Sequence, residues 1–431
     1  MGVVDRGAAM TGVNLEEEEI DDGTREKRRK TSRSAGGDGD EVSFPVMGGV
    51  GMVHAKQMVD SSALVGNKLA LQERLKRDGY VMLRAFLRPE AVDTARAECL
   101  NALTTESPDW FVDKTVGILA PGVSNVGLLT KQHVAARPAV AEVTESADLF
   151  DIAETFLFHD EDAVEDAVSN ASETVCPYEL INEEENVSAP SRKKTAMTTA
   201  YKWLRGVAGG EFTGVHSDGV FLGKGTSRLI TVWIPLGEIK ISHGALLVAS
   251  GSHRDTVFAG IRASYGKTSV GPDGTKSGWL TDDASAVPAI ARRMREELNG
   301  TRRDGTTGNR TDNFKDDNTD DQPPIDWRTA DFNSGDVVVL SLDVTHMSLA
   351  NTSDFSVDGD GDEIDGKKKD DDTKKKHASE KKNKLARLRV SVDTRWQLEG
   401  DRSDPRVKLW RVRGRDGEVR TVVVSDEARR L

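Results

Sequence analysis

The chain has 431 residues, of which 37% are hydrophobic, and this is enough for one large core or two modest ones. Its formal net charge of −13 argues against binding to nucleic acid or to an anionic membrane, because both need a basic surface. No apolar run reaches the ~18 residues of a membrane span, and two cysteines are too few for a disulfide framework or a thiolate metal cluster. The sequence therefore predicts a cytoplasmic protein, and the basic stretch at residues 25–30 leaves nuclear import open as an alternative.

Residues 1 to about 60 are highly charged, poor in apolar side chains and without periodicity, which is typical of disorder. The remainder, residues 61–431, is expected to form one domain. Two stretches inside it, at about 299–324 and 354–384, have a similarly low complexity and are predicted to be disordered inserts.

The first ordered elements are predicted to be helices. Residues 66–110 and 137–158 have the apolar spacing of helices, interrupted by a short strand at Tyr80–Leu83. From Thr198 onward the chain changes to short β patterns separated by glycine turns. Helices first and many antiparallel-type strands later predict an α+β fold whose strands form a sandwich or a double-sheet jelly roll.

A histidine and an aspartate lie two positions apart in the segment GEFTGVHSDGVFLG, between glycine-rich flanks. If this segment is a strand, His216 and Asp218 project from the same face and can bind one ion. An imidazole nitrogen and a carboxylate oxygen suit iron(II) or another divalent first-row metal. The alternative is that both are polar residues on an ordinary surface strand, because H-x-D is a short pattern.

A third ligand is needed, because two protein ligands hold a metal poorly. Among the eight histidines, His346 ends the apolar pattern GDVVVLSLDVTH, at a sheet edge where a ligand can face a cavity. With His216 and Asp218 it would complete a set of two histidines and one carboxylate, which leaves positions open on iron.

A co-substrate at those open positions would need its own binding group. If the co-substrate is an anionic keto acid, arginine binds its far carboxylate best, through the planar fork of the guanidinium. The segment RLRVSVDTRWQ supplies Arg387, Arg389 and Arg395. The alternative is that these are sheet-edge arginines paired with nearby acids.

Several motifs follow one another along the chain: H-x-D, W-I-P-L, G-A-L and G-S-H, and then a distal histidine with N-x-S after it. They lie in HSDGVFLGKGTSRLITVWIPLGEIKISHGALLVASGSHR and GDVVVLSLDVTHMSLANTSD, and RVSVDTRWQ follows them. Together with LKRDGYVMLRAFLRPEAVD, these segments resemble the phytanoyl-CoA dioxygenase (PhyH-like) family of iron(II)/2-oxoglutarate-dependent oxygenases. The resemblance covers roughly residues 66–110, 198–260 and 327–397. It implies a double-stranded β-helix (jelly-roll) core with N-terminal supporting helices.

The resemblance also implies roles for particular residues. It makes His216, Asp218 and His346 the catalytic iron ligands. It makes Arg389 the arginine that binds 2-oxoglutarate, with Arg387 as the alternative. Three more residues are implied to line the 2-oxoglutarate pocket: Ser348, Trp233 and Lys202. For the tryptophan of this set, a place in the hydrophobic core is an equal expectation.

One feature departs from the family. The charged insert at residues 354–384 lies where the family has a short loop. Lengthening a disordered loop costs only on the order of 0.6 kcal/mol per doubling of its length, so we expect the fold to tolerate the insert.

The sequence and the resemblance together predict an iron(II)/2-oxoglutarate-dependent dioxygenase that hydroxylates a small-molecule or lipid-like substrate. O2 would be its co-substrate and ascorbate its reductant. Asp218 favours hydroxylation, because relatives that halogenate have a small residue in its place. Two alternatives stay open: a jelly-roll metal-binding protein without turnover, and a cupin-like isomerase, which would have no need for Arg389. The sequence does not indicate the oligomeric state.

Overall fold

The computed structural model describes six parts of the chain: residues 41–158, 178–180, 194–265, 278–303, 324–353 and 385–424. Its strands are β1 (Phe44–Gly48), β2 (Gly51–Gln57), β3 (Tyr80–Leu83), β4 (Phe111–Asp113), β5 (Ile118–Leu119), β6 (Tyr178–Leu180), β7 (Ala196–Thr199), β8 (Trp203–Val207), β9 (Ile230–Pro235), β10 (Leu246–Ala249), β11 (Trp327–Thr329), β12 (Val337–Ser341), β13 (His346–Ser348), β14 (Ala386–Arg387), β15 (Arg389–Leu398), β16 (Leu409–Arg413) and β17 (Val419–Val424). Its α-helices are α1 (Lys68–Asp78), α2 (Pro89–Glu106), α3 (Gln132–Ala135), α4 (Pro138–Thr144), α5 (Ala147–Leu157), α6 (Gly219–Leu222), α7 (Ala259–Ala263) and α8 (Val287–Arg303). None of the helices in these ranges combines the length and the apolar character needed to cross a membrane.

The largest sheet has nine strands, in the order β3-β12-β9-β15-β7-β16-β17-β6, with β8 paired to β15 beside this path. Strand β15 is buried over its whole length, because it pairs with β9 on one side and with β8 and β7 on the other. Successive side chains of a strand alternate between the two faces of its sheet. Val390 and Val392 therefore lie on one face of β15, and Arg389, Asp393 and Arg395 lie on the other. The sheet thus buries a polar face as well as an apolar one.

Helices cover the apolar face of this sheet. Helix α5 has six buried apolar residues at helical spacing, and helix α2 buries Cys99 beside them. These side chains share one core with Val390, Val392 and Trp396 of β15. The ring of Phe150 in α5 meets the ring of Trp396 edge to face, with centroids 4.9 Å apart. Packing of α5 on β15 therefore fixes the strand that carries the polar face.

A second sheet has five strands, in the order β1-β2-β11-β10-β13. Its pairs are antiparallel except for β2 with β11, which is parallel. A second hydrophobic core joins residues of both sheets, such as Trp233 and Leu340 from the large sheet and Val248 and Met347 from the small one. The described chain is therefore a mixed α and β protein with mainly antiparallel sheets, as the sequence predicts.

Part of the predicted N-terminal disorder is ordered instead. Strands β1 and β2 form a hairpin whose Val46, Val53 and Ala55 are buried in the second core. The prediction of disorder up to residue 60 is therefore wrong for this hairpin. Its few apolar residues pack because β2 pairs with β11, which lies about 270 positions away, and such a partner cannot be read from local composition.

The remaining low-complexity stretches are mostly outside the described residues. Helix α8 extends to Arg303, past the start of the insert predicted at 299–324. Residues 1–40, 304–323 and 354–384 are not among the described residues, so the disorder predicted there stays a prediction.

Candidate metal centre

A β-bridge brings together two histidines that are 130 positions apart in the sequence. The backbone N–H of His216 donates to the carbonyl of His346 at 2.9 Å, and the N–H of His346 donates to the carbonyl of His216 at 2.8 Å. Because the bridge fixes both backbones, the imidazole rings lie side by side, with centroids 4.3 Å apart. His346 begins β13 in the small sheet, so it does not end the GDVVVLS strand as predicted: that strand, β12, stops at Ser341.

Asp218 reaches this pair from a turn and not from a strand. It has helical dihedral angles (φ −65°, ψ −22°) and precedes the short helix α6. The prediction that His216 and Asp218 project from one strand is therefore wrong, because the chain leaves the β-bridge after His216. The turn nevertheless places Oδ1 of Asp218 4.0 Å from Nε2 of His216. One ligand atom from each of His216, Asp218 and His346 lies within 4.8 Å of the others.

Backbone carbonyls orient both imidazoles for metal binding. Nδ1 of His216 lies 2.8 Å from the carbonyl of Gly214, and Nδ1 of His346 lies 3.0 Å from the carbonyl of Val344. A carbonyl oxygen can only accept, so each neutral ring has its proton on Nδ1. The lone pair of each Nε2 is then available to a metal, and the carbonyl fixes the orientation of the ring.

The charges of the three side chains also suit a metal. Burial, together with the neighbouring His346, lowers the pKa of His216 to about 3, so this imidazole is neutral near pH 7. Burial acts to raise the pKa of Asp218, but the Arg395 guanidinium, the two imidazoles and the Thr231 hydroxyl hold it below its usual range. The centre thus offers nitrogen lone pairs and one carboxylate, a donor set that fits a divalent first-row metal such as iron(II).

Both oxygens of the Asp218 carboxylate are held by protein donors. The hydroxyl of Thr231 donates to Oδ2 at 2.5 Å, and Nη2 of Arg395 donates to Oδ1 at 2.9 Å. Arg395 was predicted as a candidate for binding the carboxylate of a keto acid, but its guanidinium instead contacts Asp218, the proposed metal ligand. Thr231 was missed by the sequence analysis. Its position two residues before Trp233 on β9 could have indicated that Thr231 also faces the site, because residues i and i+2 of a strand lie on the same face.

A pocket opens beside the two imidazoles. Its cavity volume is about 20 Å³, so the pocket is narrow. Three residues predicted for the 2-oxoglutarate pocket line it: Arg389, Trp233 and Ser348. The structure therefore brings these three residues together with His216 and His346.

Arg389 is the cation of this pocket. Its side chain is buried, Nε donates to the carbonyl of Gly244 at 3.1 Å, and Nη1 has no hydrogen-bond partner among the described residues. Burial lowers the pKa of Arg389 to about 10, so the guanidinium remains charged near neutral pH. A buried charge with an unsatisfied donor is costly. The pocket is therefore suited to an anion that would accept this donor.

Two other predicted cations lie elsewhere. Arg387 donates to Glu238 at 3.2 Å and does not line the pocket, so the structure favours Arg389 over Arg387. Lys202 is buried, but its ammonium lies 3.3 Å from Glu145 and 2.7 Å from the carbonyl of Thr199. This corrects the prediction for Lys202, which is not a pocket residue because its side chain is directed toward the acid that ends α4.

Two charged residues of the pocket wall were missed by the sequence analysis. Arg205 on β8 and Asp393 on β15 form an ion pair of 3.0 Å. Asp393 also lies 3.5 Å from Arg395, so two guanidinium groups neutralise its charge. Asp393 could have been predicted from the alternation of β15, because it lies four residues after Arg389 and two before Arg395 and so shares their face of the strand. Nothing in the sequence indicated Arg205, because the pairing of β8 with β15 spans more than 180 positions.

Two imidazoles and one carboxylate, held on an antiparallel β scaffold beside a cationic pocket, define the class of mononuclear non-haem metal proteins. The family model of phytanoyl-CoA dioxygenase (PhyH) matches residues 75–357, which are 283 of the 431 residues. The chain belongs to this family. The matched span contains all three candidate ligands and ends before Arg389. Iron(II) and 2-oxoglutarate are the cofactors of this dioxygenase family, so the predicted family and cofactors are confirmed.

Solved structures with a similar course of the chain are remote in sequence. The epimerase SnoN, whose structure holds Fe3+, α-ketoglutarate and nogalamycin RO, is 12% identical; the match covers 79% of this chain and 87% of SnoN, with a TM-score of 0.39. EctD from S. alaskensis is 14% identical, with 84% and 87% covered and a TM-score of 0.36. AviO1 from Streptomyces viridochromogenes Tue57 is 14% identical, with 79% and 96% covered and a TM-score of 0.34. No curated protein sequence matches the chain. The family match alone therefore supports the assignment.

Proposed function

We propose that this protein is an iron(II)/2-oxoglutarate-dependent hydroxylase of a small organic molecule. The observation that carries the proposal is the position of the buried Arg389, whose Nη1 has no hydrogen-bond partner among the described residues, in the same pocket as His216 and His346. A metal ligand set explains the two oriented imidazoles and Asp218, and a dianionic keto acid beside the metal explains the arginine. The two facing sheets would be the double-stranded β-helix core of this catalytic domain, which would begin near Ser43.

The roles of the residues follow from their contacts. Nε2 of His216, Nε2 of His346 and the carboxylate of Asp218 would hold the metal. When bound, iron(II) would allow O2 to act as the oxidant and 2-oxoglutarate would be oxidised with the substrate: a substrate C–H bond, O2 and 2-oxoglutarate give C–OH, succinate and CO2. Arg389 would pair with the far carboxylate of 2-oxoglutarate. Ser348 accepts the N–H of Thr213 at 2.6 Å, so its hydroxyl proton is free to donate to the same anion.

The pocket walls would keep water away from the reaction. Trp233 is buried, packs edge to face on Phe332 with ring centroids 4.8 Å apart, and lies 5.8 Å from the Arg389 guanidinium. A charge pair is stronger in such a poorly hydrated site than in bulk water. Asp218 also favours hydroxylation over halogenation, because its carboxylate fills the position that a halide would need. A cupin-like isomerase would have no use for Arg389, so the structure gives no observation in favour of that alternative.

The test is succinate release from 2-oxoglutarate by the full chain with iron(II), ascorbate and O2. We expect the native protein to release succinate and the His216→Ala and Arg389→Ala variants to lose this activity. Arg387→Ala is the matched control, because it removes the same side chain two positions away, outside the pocket, and should keep the activity. Calorimetry with zinc(II) in place of iron measures 2-oxoglutarate binding without turnover. Equal binding by native protein and Arg389→Ala, or none by either, would refute the proposal.

A further inference from the structure

A second, larger cavity lies on the polar face of the nine-stranded sheet. Its cavity volume is about 630 Å³, and it shares no lining residue with the Arg389 pocket. We call it the aromatic groove and define it by six of its residues: Tyr201, Trp203, Phe221, Leu222, Val407 and Leu409. In the strand order β9-β15-β7-β16, Trp233 of the Arg389 pocket is on β9 and Leu409 of the groove is on β16. Trp203 of the groove and Arg205 of the Arg389 pocket are both on β8, so the two cavities are neighbours.

One layer of side chains separates the aromatic groove from the metal ligands. The ring of Phe221 meets the imidazole of His216 edge to face, with centroids 5.7 Å apart. The Arg395 guanidinium lies 4.6 Å from the centre of the Trp203 ring, and it donates to Asp218 at 2.9 Å. Two groove residues thus contact the ligand set either directly or through one arginine. A molecule bound in the groove would therefore lie one layer of side chains away from the metal ligands.

Several of the polar groups that line the groove are already satisfied by the protein, whereas Lys408 is exposed to solvent. The hydroxyl of Tyr201 donates to the carbonyl of Leu129 at 2.9 Å. Nε2 of Gln132 donates to the carbonyls of Leu129 and Lys202, and its Oε1 accepts the Lys202 N–H. At the mouth, Arg406 is paired with Asp404 at 2.7 Å. The wall therefore offers a ligand mainly apolar and aromatic contacts.

Three aromatic rings in one wall favour a planar partner. The rings of Tyr201 and Trp203 meet edge to face, with centroids 4.9 Å apart, and Phe221 completes the wall near His216. Aromatic rings gain attraction from stacked and edge-on ring contacts beyond the area that they bury. The cavity volume of about 630 Å³ lies within the range of roughly 300–1,000 Å³ for cavities that bind small organic molecules.

We propose that the aromatic groove binds the substrate, a largely uncharged small molecule with an aromatic or other planar ring system. This inference rests on the proposed function, because the C–H bond to be oxidised would extend from the groove past Phe221 to the metal that His216, Asp218 and His346 would hold. Phe221 and Trp203 are the residues that face both the ring system and the ligand set. They determine which carbon of the substrate lies nearest the metal.

The first test is the binding of N-phenyl-1-naphthylamine, a neutral planar fluorophore, to the full chain with zinc(II) and 2-oxoglutarate. Leu409 in the groove and Leu69 on α1 are both exposed, at 46% and 62%, so Leu409→Glu and Leu69→Glu introduce the same charge without disturbing a core. We expect Leu409→Glu to weaken probe binding by about tenfold or more, since an acid in an apolar site must lose its hydration. Leu69→Glu should bind as the native protein does. Equal binding by both variants would overturn the proposal.

A second variant tests the preference for planar molecules. Tyr201→Leu keeps an apolar wall but removes one ring from a half-exposed position, so the fold should be unaffected. We expect it to lower the affinity for the fluorophore severalfold. An unchanged affinity would contradict the assignment of a planar substrate.

The position of the bound probe relative to the metal is measured with manganese(II). Metal binding is followed first, by loss of the free-ion electron paramagnetic resonance signal, and the His216→Ala variant should not take up the ion. With manganese(II) bound, the proton relaxation of the probe should be enhanced in the native protein but not in His216→Ala. Absence of manganese(II) uptake by the native protein refutes the proposed function. Uptake without relaxation enhancement refutes the groove as the substrate site and leaves the proposed function standing.

Discussion

Replacing Thr231 by valine tests whether the fold prepares Asp218 for a metal. The two side chains have nearly the same shape, and Thr231 is buried on β9, so the change removes a hydroxyl without opening a cavity. What is lost is the donor to Oδ2 of Asp218 at 2.5 Å. Arg395 still donates to Oδ1, so the carboxylate keeps one of its two partners.

The magnitude follows from the charge of the acceptor. A hydrogen bond to an ionised group contributes about 1.5–3 kcal/mol, whereas a bond between neutral groups contributes about 0.5–1.5 kcal/mol. We therefore expect Thr231→Val to lower the free energy of unfolding of the metal-free protein by about 1.5–3 kcal/mol. Removing a group that orients a metal ligand lowers metal affinity by roughly 10–100-fold, and we expect the affinity for cobalt(II) to fall by that factor.

The matched control is Thr329→Val. Thr329 is also fully buried on a strand, and its hydroxyl donates at 2.7 Å to the neutral carbonyl of Leu246 and not to a metal ligand. Urea denaturation gives the stability of each variant, and competition with a coloured chelator gives the cobalt(II) affinity. Thr329→Val should lose stability alone. If Thr231→Val binds cobalt(II) as tightly as Thr329→Val does, the Thr231 hydroxyl does not prepare the carboxylate.

Three further predictions concern buried polar groups. Arg389→Met should raise the free energy of unfolding of the metal-free protein by about 1–2 kcal/mol, because it removes a buried charge whose pKa is lowered to about 10. The control Arg387→Met should change this free energy by less than ~0.5 kcal/mol. If Arg389→Met is less stable than the native protein, the guanidinium stabilises the fold. Burial lowers the pKa of Lys202 from 10.5 to about 8, so the folded state holds fewer protons than the unfolded state between these values. The stability of the native protein relative to Lys202→Met should therefore rise with pH between about 8 and 10.5, by at most about 1.4 kcal/mol per pH unit, and a flat difference in urea denaturation would contradict this. Burial raises the pKa of the Cys99 thiol to about 12. In a Cys176→Ser variant, Cys99 should therefore react with Ellman's reagent only after the protein is unfolded. Rapid reaction of the folded protein would contradict the burial of Cys99.

The candidate ligands could be predicted from the sequence although their local structure could not. Because His216 and Asp218 are only two positions apart, they lie within a few ångströms of each other both in a strand and in a turn. The prediction that they are neighbours therefore did not depend on the incorrect prediction of a strand. His346 was identified from an apolar pattern that it follows without belonging to it. What the spacing could not supply is the β-bridge between His216 and His346, which depends on a partner 130 positions away.

The contacts of individual cations were beyond sequence reasoning. Arg387, Arg389 and Arg395 lie on one alternating segment, yet they contact Glu238, the pocket and Asp218 respectively. The family resemblance assigned Lys202 to the pocket, and it instead meets Glu145, the residue that follows α4. Each of these partners is distant in the sequence, and the choice among them is made by how strands pair and helices pack.

The polar face of β15 links the two parts of the proposed reaction. Arg205 and Arg395 balance Asp393 and Asp218 in charge, so this network is neutral as a whole. Arg389 has no acidic partner within 4 Å among the described residues, and it leaves the pocket with one positive charge. A divalent metal would raise this to three, and a dianionic keto acid would return it to one. Metal and dianion should therefore strengthen each other's binding, since each reduces the electrostatic cost that the other creates, and such coupling is reciprocal by necessity.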